Sequence, residues 1–68
     1  MITEVMSKSQ TEDIINRLVK RYGYVLRKVK DSTELLHDAR VLFTAQQTNN
    51  SLFIVKYLPE AKVFSVRR

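Results

Sequence analysis

The number of helices in this chain turns on the stretch DSTELLHDA, residues 31–39. Asp31 offers a side-chain oxygen that can cap a helix, and Glu34 stands three residues on, where it completes a capping box. Leu35, Leu36 and Ala39 then make an apolar stripe at helical spacing. A helix of about two turns fits this pattern, with an irregular loop as the alternative.

Immediately before it lies VKRYGYVLRKVK, residues 19–30, which holds the only glycine of the chain, two tyrosines and no acid. On its N-terminal side, SQTE places Ser9 at an N-cap with Glu12 in the box position. Ile14, Ile15, Leu18, Val19 and Tyr22 follow on one helical face. Gly23 closes the helix, because it alone takes the left-handed cap geometry without a Cβ penalty. A first helix over residues 10–22 is predicted, with Lys20 and Arg21 in its last turn, where the helix dipole favours cations. YVLRKV is short and rich in β-branched and aromatic residues, so residues 24–30 read as a strand. Residues 1–8 show no clear period and read as a frayed start.

After Arg40 the period changes to two. RVLFTAQQ, SLFIVKY and KVFSVR have strand composition. TNN separates the first two, and asparagine tolerates the positive φ of a tight hairpin. LPEA separates the last two, with Pro59 supplying a turn's fixed φ. These runs predict a C-terminal three-stranded meander. Val41, Phe43 and Ala45, then Phe53, Val55 and Tyr57, then Phe64 and Val66 share one face. The expected fold class is α+β, ordered α-β-α-β-β-β, with the N-terminal helix packed on a mostly antiparallel sheet. Residues 9–68 would form its single domain.

The opposite parity is less polar than a solvated sheet face normally is. Leu42, Leu52, Ile54 and Val63 fall on it, and they make a candidate interface with a second copy or a protein partner. Small size points the same way, since a 68-residue chain without cysteine lacks the disulfides that often stabilise such domains.

The net charge of +5 is unevenly spread. Residues 14–30 carry Arg17, Lys20, Arg21, Arg27, Lys28 and Lys30 and no acid. That basic stretch is the candidate nucleic-acid-binding site, by phosphate neutralisation, with Tyr22 and Tyr24 as possible stacking platforms for unpaired bases. The competing reading is a solvated helix end running into a strand. One glycine excludes a phosphate-cradling glycine loop. The absence of cysteine and the single histidine, His37, exclude cysteine chemistry and a histidine metal cluster. His37 could pair with Glu34 along the second helix, and no catalytic constellation converges on it. No cofactor, metal or small-molecule substrate is indicated. The apolar runs fall far short of the ~20 residues that span a bilayer, and MITEVMSKSQ lacks the pattern of a signal peptide. The expectation is a cytoplasmic, non-enzymatic accessory or regulatory binding protein. Nucleic acid is the favoured ligand, and a homodimeric or adaptor role through the outer sheet face is the alternative.

Overall fold

In a computed structural model, which describes residues 1–49 and 51–67, the order of elements is β1 (Ile2–Ser7), α1 (Lys8–Tyr22), β2 (Val25–Val29), β3 (Ser32–His37), β4 (Arg40–Gln47), β5 (Leu52–Tyr57) and α2 (Val63–Val66). The strands form one sheet in the order β1-β5-β4-β3-β2, every neighbouring pair antiparallel. The α+β class and the antiparallel sheet agree with the sequence reading. The place of the second helix and the number and order of the strands differ from it.

Four antiparallel steps separate β1 from β2, so these two edge strands run in the same direction. They lie roughly 19 Å apart at a strand spacing of about 4.8 Å. The fifteen residues of α1 span about 22 Å, and they must carry the chain both back along the sheet and sideways across it. A helix under that constraint crosses the sheet diagonally. It starts without a loop at the end of β1, where Ser7 is both the last strand residue and the N-cap, its Oγ accepting from the Gln10 amide at 3.1 Å. It stops at Gly23, whose φ of 71° and N–H donated to the Val19 carbonyl make the left-handed cap the sequence predicts. The cap residue is therefore Ser7 rather than Ser9.

A diagonal helix leaves a wedge of sheet uncovered on each side. The C-terminal segment fills one of them. Val63 and Val66 turn inward from α2 and are fully buried. The Arg17 guanidinium donates to the Val66 carbonyl at 2.7 Å, and Phe64 meets Tyr57 edge-on at 5.9 Å between centroids. The core beneath combines Ile14, Ile15 and Leu18 of α1 with Met6, Leu35, Phe43, Ala45, Val55 and Tyr57 of the sheet.

Three elements depart from the sequence reading. Residues 1–8, expected to fray, hold β1, which pairs with β5 from Ile2↔Tyr57 to Ser7↔Leu52. That pairing occupies the edge a third meander strand would have used. KVFSVR, denied a strand partner there, winds into α2 instead. The stretch DSTELLHDA forms β3, not a helix, with Thr33 and Leu35 towards the helices and Ser32, Glu34 and Leu36 outward. β3 is flanked by pairing strands on both sides, and this tertiary demand overrides its capping-box pattern. The turns before and after it hide in the sequence, because Lys30 (φ 52°), Asp38 (φ 53°) and Ala39 (φ 65°) take positive φ without glycine or asparagine. The positive φ expected of asparagine in the next hairpin falls in part on Asn50, outside the described residues. Asn49 instead fixes that loop through Oδ1, accepting from the Ser51 and Leu52 amides at 3.0 and 3.1 Å.

A register shift between Leu35 and Leu36 leaves Leu42 unpaired in β4. The bulge turns Leu42 into the core and Val41 to the outer face. Of the candidate interface residues, Leu42 is therefore buried in the core, and Val63 is buried there from α2. Only Leu52 and Ile54 lie on the outer face. Among the described residues no helix lies over that face, which is mixed, with a polar row of Thr3, Lys56, Thr44, Glu34 and Arg27 running across all five strands. Phe64, expected inside, is half exposed.

Candidate functional site

The second wedge, on the β2 side of α1, stays open. It is a groove of about 940 Å³. One wall is the first half of α1, with Lys8, Glu12 and Asn16 at its lip and Thr11 and Ile15 below. The other wall is the end of β2 and the turn after it, with Leu26, Lys28, Lys30 and Asp31. Thr33, Gln47 and Phe53 contribute to the floor, and Thr48 and Asn49 close one end. The register explains which β2 residues reach it. Leu26 pairs with Leu35 and Lys28 with Thr33, both on the helix side, whereas Val25, Arg27 and Val29 face outward. Lys28 is thus held at the edge of the groove by a strand rather than by a mobile loop.

The six cations singled out in the sequence separate into three groups. Arg17 and Arg27 are engaged in the structure itself. Arg17 Nε lies 3.2 Å from Asp13 while its other arm holds the Val66 carbonyl. Arg27 Nε donates to Glu34 Oε1 at 2.8 Å on the outer face. Lys20 and Arg21 project from the exposed last turn of α1. Lys20 follows Glu12 and Asn16 at four-residue spacing, so it extends their row one turn beyond the groove. Lys28 and Lys30 line the groove, and Lys8 joins them from the opposite wall.

Among the described residues, Lys8, Lys20, Arg21, Lys28 and Lys30 have no carboxylate at ion-pair distance. Glu12 and Asp31 share the groove and are likewise unpaired. Lys8 was invisible in the sequence, where it belongs to an acidic N-terminal segment. Only the diagonal crossover brings it opposite Lys28 and Lys30.

Tyr22 and Tyr24 do not reach the groove. They pack on each other at 6.1 Å between centroids, and buried Tyr24 takes the Lys62 amide on its hydroxyl at 3.3 Å. With His37, Arg40, Glu60 and Lys62 they line a recess of about 310 Å³ at the other end of the molecule. His37 stacks 5.2 Å from Tyr24, and its Nε2 is 3.6 Å from Asp38 Oδ2. Glu34, the partner the sequence suggested for His37, is taken by Arg27. Arg40 and Glu60 pair across the mouth at 3.1 Å.

A third polar cluster lies under α2. Glu4 on the helix side of β1 accepts from the Tyr57 hydroxyl, and Arg67 donates to both of its carboxylate oxygens at 3.0 Å. The Tyr57 hydrogen bond, with help from Arg67, holds the Glu4 carboxyl below the ordinary carboxylate range against the opposing effect of burial. Burial, followed by the hydrogen bond to Glu4 and then the charge of that carboxylate, pushes the Tyr57 phenol up to about 12. This cluster ties the C-terminal segment to β1, so its role is structural.

Among the described residues no group of three or more histidine, cysteine, aspartate or glutamate side chains could hold a metal ion, and no helix is long and apolar enough to cross a membrane. Comparison of the chain with protein-family models, with curated proteins and with solved structures gives no match.

Proposed function

We propose that this chain is a small nucleic-acid-binding accessory protein that takes a single strand along the open wedge between α1 and the β2–β3 hairpin. The observation that carries this reading is the convergence of Lys8, Lys28 and Lys30, none with a carboxylate partner among the described residues, on one groove. Three ammonium groups on facing walls suit a phosphate backbone threaded between them. The lower surface suits the rest of a nucleotide, with Ile15, Leu26 and Phe53 for base faces and Asn16, Thr33 and Gln47 for base edges and sugar hydroxyls. Lys20 and Arg21, in the last turn of α1, extend the cationic track past the groove. Glu12 and Asp31 temper the potential, which favours modest, salt-sensitive affinity over tight binding.

Three to five phosphate contacts on a single strand imply a log–log salt slope of about −2 to −3.5. Fluorescence anisotropy of a labelled oligonucleotide, titrated at several salt concentrations, reads it directly. The double change Lys28→Gln/Lys30→Gln should flatten the slope by roughly 1.4 units. Lys56→Gln/Lys62→Gln, which removes the same charge outside the groove, should leave more of it intact. The proposal fails if the oligonucleotide does not bind at low salt, or if the two double variants weaken binding equally.

A further inference from the structure

The sheet ends in two unlike edges. β2 is guarded in the manner expected of a strand that must not pair further. Arg27 and Lys28 sit at its middle and Lys30 at its end, so a second copy laid along it would set cation against cation. β1 has no such guard. It holds no lysine, arginine or proline, and its register with β5 is continuous over all six residues. Its one charge, Glu4, is turned to the helix side and consumed by Tyr57 and Arg67. Val5, facing outward from its centre, is 66% exposed. Exposed apolar groups lie close on either face of the same edge. Leu52, opposite Ser7, is 38% exposed, and Phe64, against the Tyr57 that pairs with Ile2, is 54% exposed.

We propose that β1 is the seam of a homodimer, in which it pairs antiparallel with β1 of a second copy to make one ten-stranded sheet. Parity restricts the register. A two-fold axis normal to a sheet keeps each side chain on its own face, so it must pass beside a residue that opposes itself. An axis beside Glu4 would set two carboxylates face to face. An axis beside Met6 would leave only the last residues of each strand paired. An axis beside Val5 pairs Thr3 with the partner's Ser7 and Glu4 with the partner's Met6, with an overlap equal to that of the Glu4 axis and no like charges opposed. Val5 then packs on the partner's Val5, and the apolar groups at the edge lose water together. Both α1 helices fall on the same face of the joined sheet. The two grooves open on that face at its outer ends, roughly 35–40 Å apart at ordinary strand spacing.

The seam does not depend on what the groove binds, and its test uses no ligand. The chain has no cysteine, so Val5→Cys introduces a single thiol beside the axis. Opposed residues of antiparallel strands have Cα atoms about 4.5–5.5 Å apart, within disulfide reach. Mild oxidation of Val5→Cys should give a covalent dimer in high yield, and Val25→Cys on the β2 edge should not. Sedimentation equilibrium of the unmodified chain at roughly tens of micromolar should give twice the 8.0 kDa monomer mass. Val5→Lys should raise the dissociation constant at least tenfold with an unchanged circular dichroism spectrum, because Val5 is not part of the core. A chain that stays monomeric through this range overturns the seam. So does a dimer that survives Val5→Lys, or equal cross-linking through Val25→Cys.

Discussion

Ala39 holds φ at 65° in the two-residue turn between β3 and β4, with Asp38 before it at 53°. Both central residues at positive φ define the mirror-image hairpin turn that normally uses Asn-Gly or Asp-Gly. A Cβ in this region costs roughly 1–2 kcal/mol, of which glycine's extra unfolded-state freedom returns part. Ala39→Gly should therefore stabilise the protein by about 0.5–1 kcal/mol, read as a higher urea midpoint at constant slope. A lower midpoint would mean that the turn is not held as described. The same turn shows why β3 was hard to read, since nothing in His37-Asp38-Ala39-Arg40 advertises a hairpin.

Glu4 and Tyr57 make stability depend on pH at both extremes. A carboxyl held low in the folded state adds stability above its unfolded value, lost as acid protonates it below about pH 4. A phenol raised to about 12 behaves in the opposite sense. Its contribution is complete below about pH 10 and declines as the unfolded chain ionises first, between about 10 and 12. The stability difference between the native chain and Tyr57→Phe should shrink across that alkaline interval, followed by denaturant unfolding at a series of pH values. A constant difference would show that the phenol is not shielded.

At the scale of elements, the faces of β4 and β5 were legible because their alternation is clean from Phe43 to Ala45 and from Phe53 to Tyr57. The bulge at Leu42 broke it, and no sequence signal marks a single unpaired residue. The first helix was equally legible, apart from a cap shifted from Ser9 to Ser7, because its apolar stripe and closing glycine agree. Residues 1–8 were read as frayed and the C-terminal run as the strand beside β5, whereas β1 takes that edge and the run forms α2. Both segments have strand-compatible composition, one edge of β5 was available, and composition does not say which segment takes it. The three phenylalanines test this outcome. Phe43→Ala should cost about 3–5 kcal/mol, a large part of a small domain's total stability. Phe64→Ala should cost no more than about 1 kcal/mol, chiefly its edge contact with Tyr57, and Phe53→Ala should fall between. Equal losses at Phe43 and Phe64 would return the C-terminal run to the sheet.

At the scale of the whole molecule, the charge asymmetry was visible in the sequence and the groove was not. Counting cations located the surplus in residues 14–30, yet Arg17 and Arg27 are held by structural partners while Lys8, from outside that stretch, joins the site. Only the diagonal course of α1 across the sheet sorts them, and that course follows from two edge strands running the same way. The arrangement also sets an order of events. β2 to β5 are successive hairpins, each closed by a short local turn, whereas β1 finds its partner about fifty residues along the chain, from Ile2 to Tyr57. Loop-closure entropy makes the local pairings quick and the distant one slow. The strand that precedes all others in sequence is then the last to be seated, and until it arrives β5 stands as a vacant berth.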